Sequence, residues 1–388
     1  MQRVNLYIRC TVMALGLTSC ARKMEHPATG GSPAASNVNG IYVLAVGGTT
    51  INGVNYENDS DFKSTLAFYD LATRTVTPDR FSQVNGFPLG FRALDMGLYG
   101  SKLYIALAGS QAVAVVDAAS ARLLAKTATA LPDAVKAFTT YAPDPTHICF
   151  FDGEVYIGLV NGVIEVMDTS SMKIVRYIGG DVPLLTPIGP VVANGKLYLA
   201  GEGNSYPNNL AIIDPHTGSL IRSMSIYLNP ESISTDNSGN VFVQTQFDTA
   251  RLVFDLNTDY QALTPGLTII SGATDQVAYQ SSSNSSGNAP VVVSGNTGYY
   301  ISGNYASSTI AQFNSATLSF NIPGYNTGGV QLGEVTALTV DPITGQLFVG
   351  DAKFTNSPNG TVDVFADQQL QYSFPAGTNP IKIVLTKP

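Results

Sequence analysis

Apolar and polar positions alternate in short runs along most of the chain, and long segments with an apolar residue every three or four positions are absent. That pattern predicts strands separated by turns. The runs recur as one unit: an aromatic inside a β-rich stretch, a variable loop, then a second stretch ending in Asp. The unit reads GIYVLAV to LAFYD (40–70), KLYIALA to VAVVD (102–117), EVYIGLV to IEVMD (154–168) and KLYLAGE to LAIID (196–214). It continues as NVFVQTQ to RLVFD (240–255), GYYISGN to IAQFN (298–314) and QLFVGDA to VDVFA (346–366). The repeated aromatics Tyr42, Tyr104, Tyr156, Tyr198, Phe242, Tyr300 and Phe348 mark seven units.

Each unit ends in a further strand, such as 122–126 or 173–178, and most follow an apolar run, such as 93–98 or 335–340. Four strands per unit describe a propeller blade, so the expected fold is an all-β, seven-bladed β-propeller of four-stranded blades over residues 40–388. The Asp at Asp70, Asp117, Asp168, Asp214 and Asp255, replaced by Asn314 later, is expected to cap its own backbone in the turn after the third strand. The run Pro380 to Leu385 is a lone innermost-type strand with nothing after it. It should complete the first blade and close the ring, hiding strand edges that would otherwise invite association.

In a blade, the loops joining strands two and three share a face with the blade-to-blade connections. The other face is expected to hold short turns at 99–101, 152–153, 194–195, 236–239 and 341–345. The first face carries the length variation, at 47–63, 201–208, 303–307 and 351–359, with blade connections at 127–147, 264–288 and 321–334. Elaboration all round one face marks it as the working face. Its residues, rich in Tyr and amides, suit a bulky ligand edged with amides or hydroxyls. The candidate contacts are Tyr56, Asp61, Phe91, Arg92, Tyr206, Asn208, Gln246, Phe247, Tyr305, Lys353 and Phe354.

Composition narrows the function. The formal charge is −8, which disfavours nucleic acid. Only 3 His are present, His26, His147 and His216, so a histidine metal cluster within one chain is not expected, and His147 beside an apolar strand makes a poor triad base. Carboxylates Glu202, Glu231, Glu334 and Asp351 lie near the elaborated face without a spacing that pairs two of them. The run Asn58 to Asp61 offers oxygen ligands but no full calcium-loop pattern. With Trp 0, the docking motifs of quinone-dependent and sialidase propellers are missing. A binding protein without catalytic residues, metal or cofactor is the expectation.

The N-terminus reads as a lipoprotein signal peptide (1–19): Arg3 and Arg9 precede a short apolar stretch, and Leu17-Thr18-Ser19-Cys20 resembles a bacterial lipobox. Lipidated Cys20 would open a flexible tether (20–39) rich in Pro, Gly, Ala and Ser. With Cys10 in the signal, the body keeps only Cys149, which excludes an intramolecular disulfide there.

The repeat from Gly40 to Leu385 resembles the YncE-like propellers, and more closely a family of Bacteroidetes surface lipoproteins, through GIYVL (40–44), STLAFYDLATRTV (64–76) and LGFRALDMGLYGSKLYIALAGSQAVAVVD (89–117). Some members of that family look like cobalamin-capturing partners of TonB-dependent transporters. The resemblance implies an outer-membrane, cell-surface lipoprotein that binds a corrinoid on one face and delivers it to such a transporter. Where the family tends to carry an Asn-Glu-Gly-Asn type run after the first strand, this chain has Ala45-Val46-Gly47-Gly48-Thr49-Thr50. The alternative is a protein-binding or scaffolding propeller without a small ligand.

The anchor is directly testable. Cys20→Ser should move the protein from membranes to the soluble fraction, because tether and body hold no other apolar span. A variant still pelleting with membranes after a high-salt wash would count against lipidation.

Overall fold

The computed structural model describes residues 38–47, 63–136, 142–179, 184–203, 209–227, 230–245, 266–282, 290–304, 307–320, 323–353 and 360–386. The chain enters with β1 (Gly40–Ala45) and β2 (Lys63–Asp70), then the short β3 (Thr75–Thr77), helix α1 (Arg80–Asn85) and β4 (Gly90–Phe91). Blade two is β5 to β8 (Ala93–Tyr99, Lys102–Leu107, Ala112–Asp117, Leu123–Ala128). After helix α2 (Asp133–Lys136), blade three is β9 to β12 (Pro145–Phe151, Glu154–Leu159, Ile164–Asp168, Lys173–Ile178). Blade four is β13 to β16 (Leu184–Ala193, Lys196–Gly203, Asn209–Ile213, Leu220–Ser225), and blade five is β17 to β20 (Pro230–Thr235, Val241–Thr245, Gly266–Ser271, Gln276–Ser282). Blade six is β21 to β23 (Val292–Ser294, Thr297–Asn304, Ser307–Asn314), and blade seven is β24 to β27 (Val335–Val340, Leu347–Asp351, Gly360–Ala366, Gln369–Gly377). The last strand, β28 (Pro380–Thr386), pairs antiparallel with β1 and becomes the innermost strand of blade one. Among the described residues these strands form seven antiparallel sheets, the expected seven-bladed propeller.

The core lies between blades. Seven buried clusters each join two neighbours, as Tyr42, Leu44 and Phe68 of blade one pack on Leu103 and Ile105 of blade two, and Ile301 and Ile310 of blade six on Val349 and Phe365 of blade seven. Close approach of neighbouring blades requires small residues, Gly97 in β5 against Phe150 and Gly158 in β10 against blade four. A Cβ on Gly158 would lie 2.1 Å from the Gly189 carbonyl oxygen of the next blade.

The turns after the third strand follow the expected chemistry. Asp70 Oδ1 accepts from the amides of Ala72 and Thr73, Asp214 Oδ1 from His216 and Thr217, and Asn314 Oδ1 from Ala316 and Thr317. Asp117 and Asp168 do the same with Ser120 and Ser171. These amides, Thr73, Ser171 and Thr217 foremost, hold the carboxyls of Asp70, Asp168 and Asp214 below the usual range. The fifth residue closes each turn with its amide on the first carbonyl and takes a left-handed conformation, as at Arg74 (φ 57°), Ala121 (φ 63°), Met172 (φ 57°) and Gly218 (φ 73°).

Four of the repeated tyrosines fasten the next blade at that turn. Tyr42 donates to Ala118 O at 2.8 Å, Tyr104 to Thr169 O at 3.4 Å, Tyr156 to Pro215 O at 3.5 Å and Tyr198 to Asp275 Oδ1 at 2.6 Å.

Three expectations are corrected. In blade five the third strand is β19, not RLVFD: Val241–Thr245 pairs with Gly266–Ser271. Asp255 therefore lies outside the described residues and Ser271 opens the turn, with Asp275 at its left-handed fifth position (φ 53°). The segment 264–288, expected to be a blade connection, holds β19 and β20 instead. In blade six, β22 and β23 pair through to Asn304 and Ser307, so strand occupies most of the 303–307 stretch expected to be an elaborated loop. Blade six also has three strands among the described residues, its fourth reduced to the bridge between Asn314 and Ser319. Helix α1 was not expected. It splits the outer strand of blade one, leaving β3 on the lower half of β2 and β4 on the upper half.

If the tyrosine hydroxyls staple neighbouring blades, Tyr42→Phe should lower unfolding free energy by about 1 kcal/mol. Tyr300→Phe, whose ring packs on Phe313 and Phe320, should lie within error of zero. Chemical denaturation of the two variants makes the comparison.

Candidate functional site

The end of the ring that carries the loops between strands two and three also carries the starts of the innermost strands. These first strands pack on one another around the axis, β28 on β5, β5 on β9, β9 on β13 and β24 on β28. Several break register near that end, with one extra residue inserted: Ile381 in β28, Leu94 in β5, Thr146 in β9, Glu231 in β17 and Thr336 in β24. A bulge re-aims the side chain beside it. The residue after the bulge is Lys382, Asp95 and His147 in blades one, two and three, and Ser232 and Ala337 in blades five and seven.

Asp95 ties these strands together. Its Oδ1 lies 2.7 Å from Lys382 Nζ and accepts from the Met96 amide, while Oδ2 accepts from the Ile148 amide of blade three at 2.9 Å. His147, next to Ile148, is partly buried with Nδ1 enclosed and without a hydrogen-bond partner. Burial pushes its imidazole below the usual histidine range, Asp95 opposes that, and Lys382 reinforces it. One step toward the rim, Arg92 forms an ion pair with Asp144 across the connections leading into blades two and three. Arg92 holds a left-handed conformation (φ 47°), and its carbonyl accepts from the Ala108 amide at 2.9 Å. Phe91 is partly buried beside it, its amide donating to Ser110 Oγ.

A second group lies between blades six and seven. Asp351 accepts from the Gly333 and Lys353 amides, with Lys353 Nζ 4.0 Å from Oδ2. Burial, and then the Asp351 charge, push the Glu334 carboxyl up to about 7. Asp363 accepts from Thr361 and Ser373 on Oδ1 and has a buried, unpartnered Oδ2.

Of the expected contacts, Phe91 and Arg92 come together at the mouth of blade two, and Lys353 lies apart on blade seven. Tyr56, Asp61, Tyr206, Asn208, Gln246, Phe247, Tyr305 and Phe354 lie outside the described residues, as do Cys20 and the Asn58 to Asp61 run. Lys382, Asp95, Asp144 and Glu165 were not anticipated, and His147 was set aside. A signal was present: ALD, PTH and PIK each place an ionisable residue third in an otherwise apolar first strand.

Buried polar atoms without a hydrogen-bond partner concentrate toward this end. Among the described residues they include Asn161 Nδ2, Glu165 Oε2, Gln244 Nε2 and Asn379 Oδ1 besides those of His147 and Asp363, whereas Ser82 Oγ lies in α1. Such atoms cost free energy unless water or a ligand satisfies them.

No family model and no curated protein matches the chain. Solved structures do. Hydrazine synthase of Kuenenia stuttgartiensis aligns with TM-score 0.57 and 15% identity over 82% of this chain and 99% of that chain. A quinonprotein alcohol dehydrogenase-like protein from Bacteroides thetaiotaomicron VPI-5482 aligns with TM-score 0.56 and 13% identity, over 90% and 78%. The computationally designed Ika8 protein aligns with TM-score 0.52 and 12% identity, over 92% and 95%. The likeness is one of fold, a propeller that enzymes and a designed protein share.

Glu165 makes the clearest titration. It is fully buried on the strand face that packs on blade two, with Oε1 on the Ala130 amide, and burial pushes its carboxyl from 4.5 up to about 7. The folded state thus holds this proton more tightly than the unfolded chain, so the contribution of Glu165 to stability is fully present below about pH 4.5 and is lost as pH rises toward 7. The displacement corresponds to roughly 3 kcal/mol. Urea midpoints should therefore fall between about pH 5 and about pH 8, and Glu165→Gln should remove most of that fall, leaving the smaller share of part-exposed Glu334.

Proposed function

We propose that the chain is a binding propeller that works through its elaborated end. The observation that carries this reading is the gathering there of buried, unpartnered polar atoms, on Asn161, Glu165, Gln244 and Asp363 among others. A stable protein tolerates few such atoms, and their concentration at one end suits a surface that is completed by a ligand bearing amides or hydroxyls. The ligand is a bulky nutrient, for which the family resemblance nominates a corrinoid such as cobalamin. In the same reading, lipid on Cys20 holds the protein at the outer-membrane surface, where it delivers the nutrient to a TonB-dependent transporter.

A protein-binding reading has its own support on the rim, where outer strands of blades two to five expose Leu124, Val175, Tyr177, Leu220, Ile221 and Val277. The two readings use different surfaces, which separates them.

Calorimetric titration of the full chain in detergent with cyanocobalamin should give saturable binding. Phe91→Ala and Lys353→Ala at the elaborated end should weaken it, by roughly 1 to 3 kcal/mol for a central contact and little for a rim contact. Ile221→Ala on the rim should leave it unchanged. Absence of heat with cobalamin and related cofactors would remove the corrinoid assignment. Binding insensitive to elaborated-end changes would remove the assignment of the face.

A further inference from the structure

The two ion pairs at the elaborated end share an asymmetry. In Lys382–Asp95 the cation's side chain is 37% exposed and the anion's 7%, and in Arg92–Asp144 the values are 35% and 17%. Each carboxylate is the inward partner, and each cation faces outward. Asp95 is also held by two backbone amides, Met96 and Ile148, so its charge is spent on donors fixed in β5 and β9. An ammonium has three donors and no acceptor, so a single carboxylate leaves Lys382 capacity for a second anion. Beside it, His147 is the third ionisable residue at equivalent positions of three adjacent innermost strands. This outward positive charge is local, because the chain as a whole carries −8.

We infer that the elaborated end over blades one to three binds an anionic oxygen group, a phosphate or a carboxylate, at Lys382 and the neighbouring His147. Charge-assisted hydrogen bonds from lysine and arginine are the strong ones, and each cation here is pre-positioned by its buried partner. Each of the three strands carries a bulge, at Ile381, Leu94 and Thr146, directly before its ionisable residue, and Lys382 pairs with Asp95 while both act on the His147 charge. The site stands on described residues and does not depend on the corrinoid assignment.

The chain's 3 His make the test direct, since imidazole resonances of His26, His147 and His216 can be followed one by one. Inorganic phosphate added to the full chain in detergent should shift the His147 signals saturably and raise their titration midpoint, while His216, in its turn on the opposite face, follows ionic strength alone. Sodium chloride at matched ionic strength is the reference, and a parallel acetate series shows which anion class the site prefers. Lys382→Gln should weaken saturation at least tenfold. Asp95→Asn removes the competing charge but keeps an acceptor for the Ile148 amide, and it should tighten binding severalfold. A His147 response that sodium chloride reproduces would overturn the site. So would equal saturation in wild type and Lys382→Gln, or weaker binding in an Asp95→Asn protein of unchanged melting temperature.

Discussion

The ring depends on one piece of backbone pairing. β1 and β28 meet over Gly40–Ala45 and Pro380–Thr386, joining residues 346 positions apart, and Thr386 Oγ1 donates to Gly40 O at 3.0 Å. Blade seven braces the same strand, with Thr336 Oγ1 on Pro380 O and Thr339 Oγ1 on Ile383 O. Without this closure, β1 would present an open edge and two of the seven interblade cores would lose a wall. The closure also delivers chemistry, because Lys382 arrives on the last strand of the chain and meets Asp95 on the first strand of blade two.

The two ends of the ring solve different problems. At the plain end nearly every polar group is used locally: asparagine and aspartate side chains cap their own turns, and tyrosine hydroxyls reach the turn of the next blade. Tight type I′ turns such as Asp152-Gly153 (φ 49° and 79°) and Asn194-Gly195 (φ 48° and 70°) leave little backbone to spare. At the elaborated end, strands are bulged, ion pairs cross from blade to blade, and side chains such as Gln244 are buried with capacity unused. Stability is concentrated at one end and unsatisfied recognition capacity at the other.

Repeat number, closure and turn chemistry were legible because each is written in local, repeated residues: an aromatic, an Asp, a final unpaired apolar run. Blade five escaped because RLVFD imitates the repeated sequence pattern, while the true third strand, GLTIIS, ends in Ser and hands the acid to Asp275. A serine opening that turn carries no signal in a search for Asp. Helix α1 had a readable start and stop, Asp79 capping the Ser82 amide and Gly86 in a left-handed conformation, but it is too short to show periodicity. The row of ionisable residues was hidden for another reason. One inserted residue per strand decides which way Lys382, Asp95 and His147 face, and no propensity marks a bulge.

The tyrosine latches run only part of the way round. They lead from blade one to two, two to three, three to four and four to five, and the equivalent positions in the remaining blades are Phe242 and Phe348, which have no hydroxyl, and Tyr300, whose ring packs on Phe313 and Phe320. One arc of the circle is therefore latched by tyrosine hydroxyls, and the other is joined through other groups, Ser234 Oγ on Val291 O, the Val335 amide on Ser308 Oγ and Thr339 Oγ1 on Ile383 O. The propeller thus has two kinds of seam, and Lys382, Asp95 and His147 all stand on blades joined by the tyrosine kind.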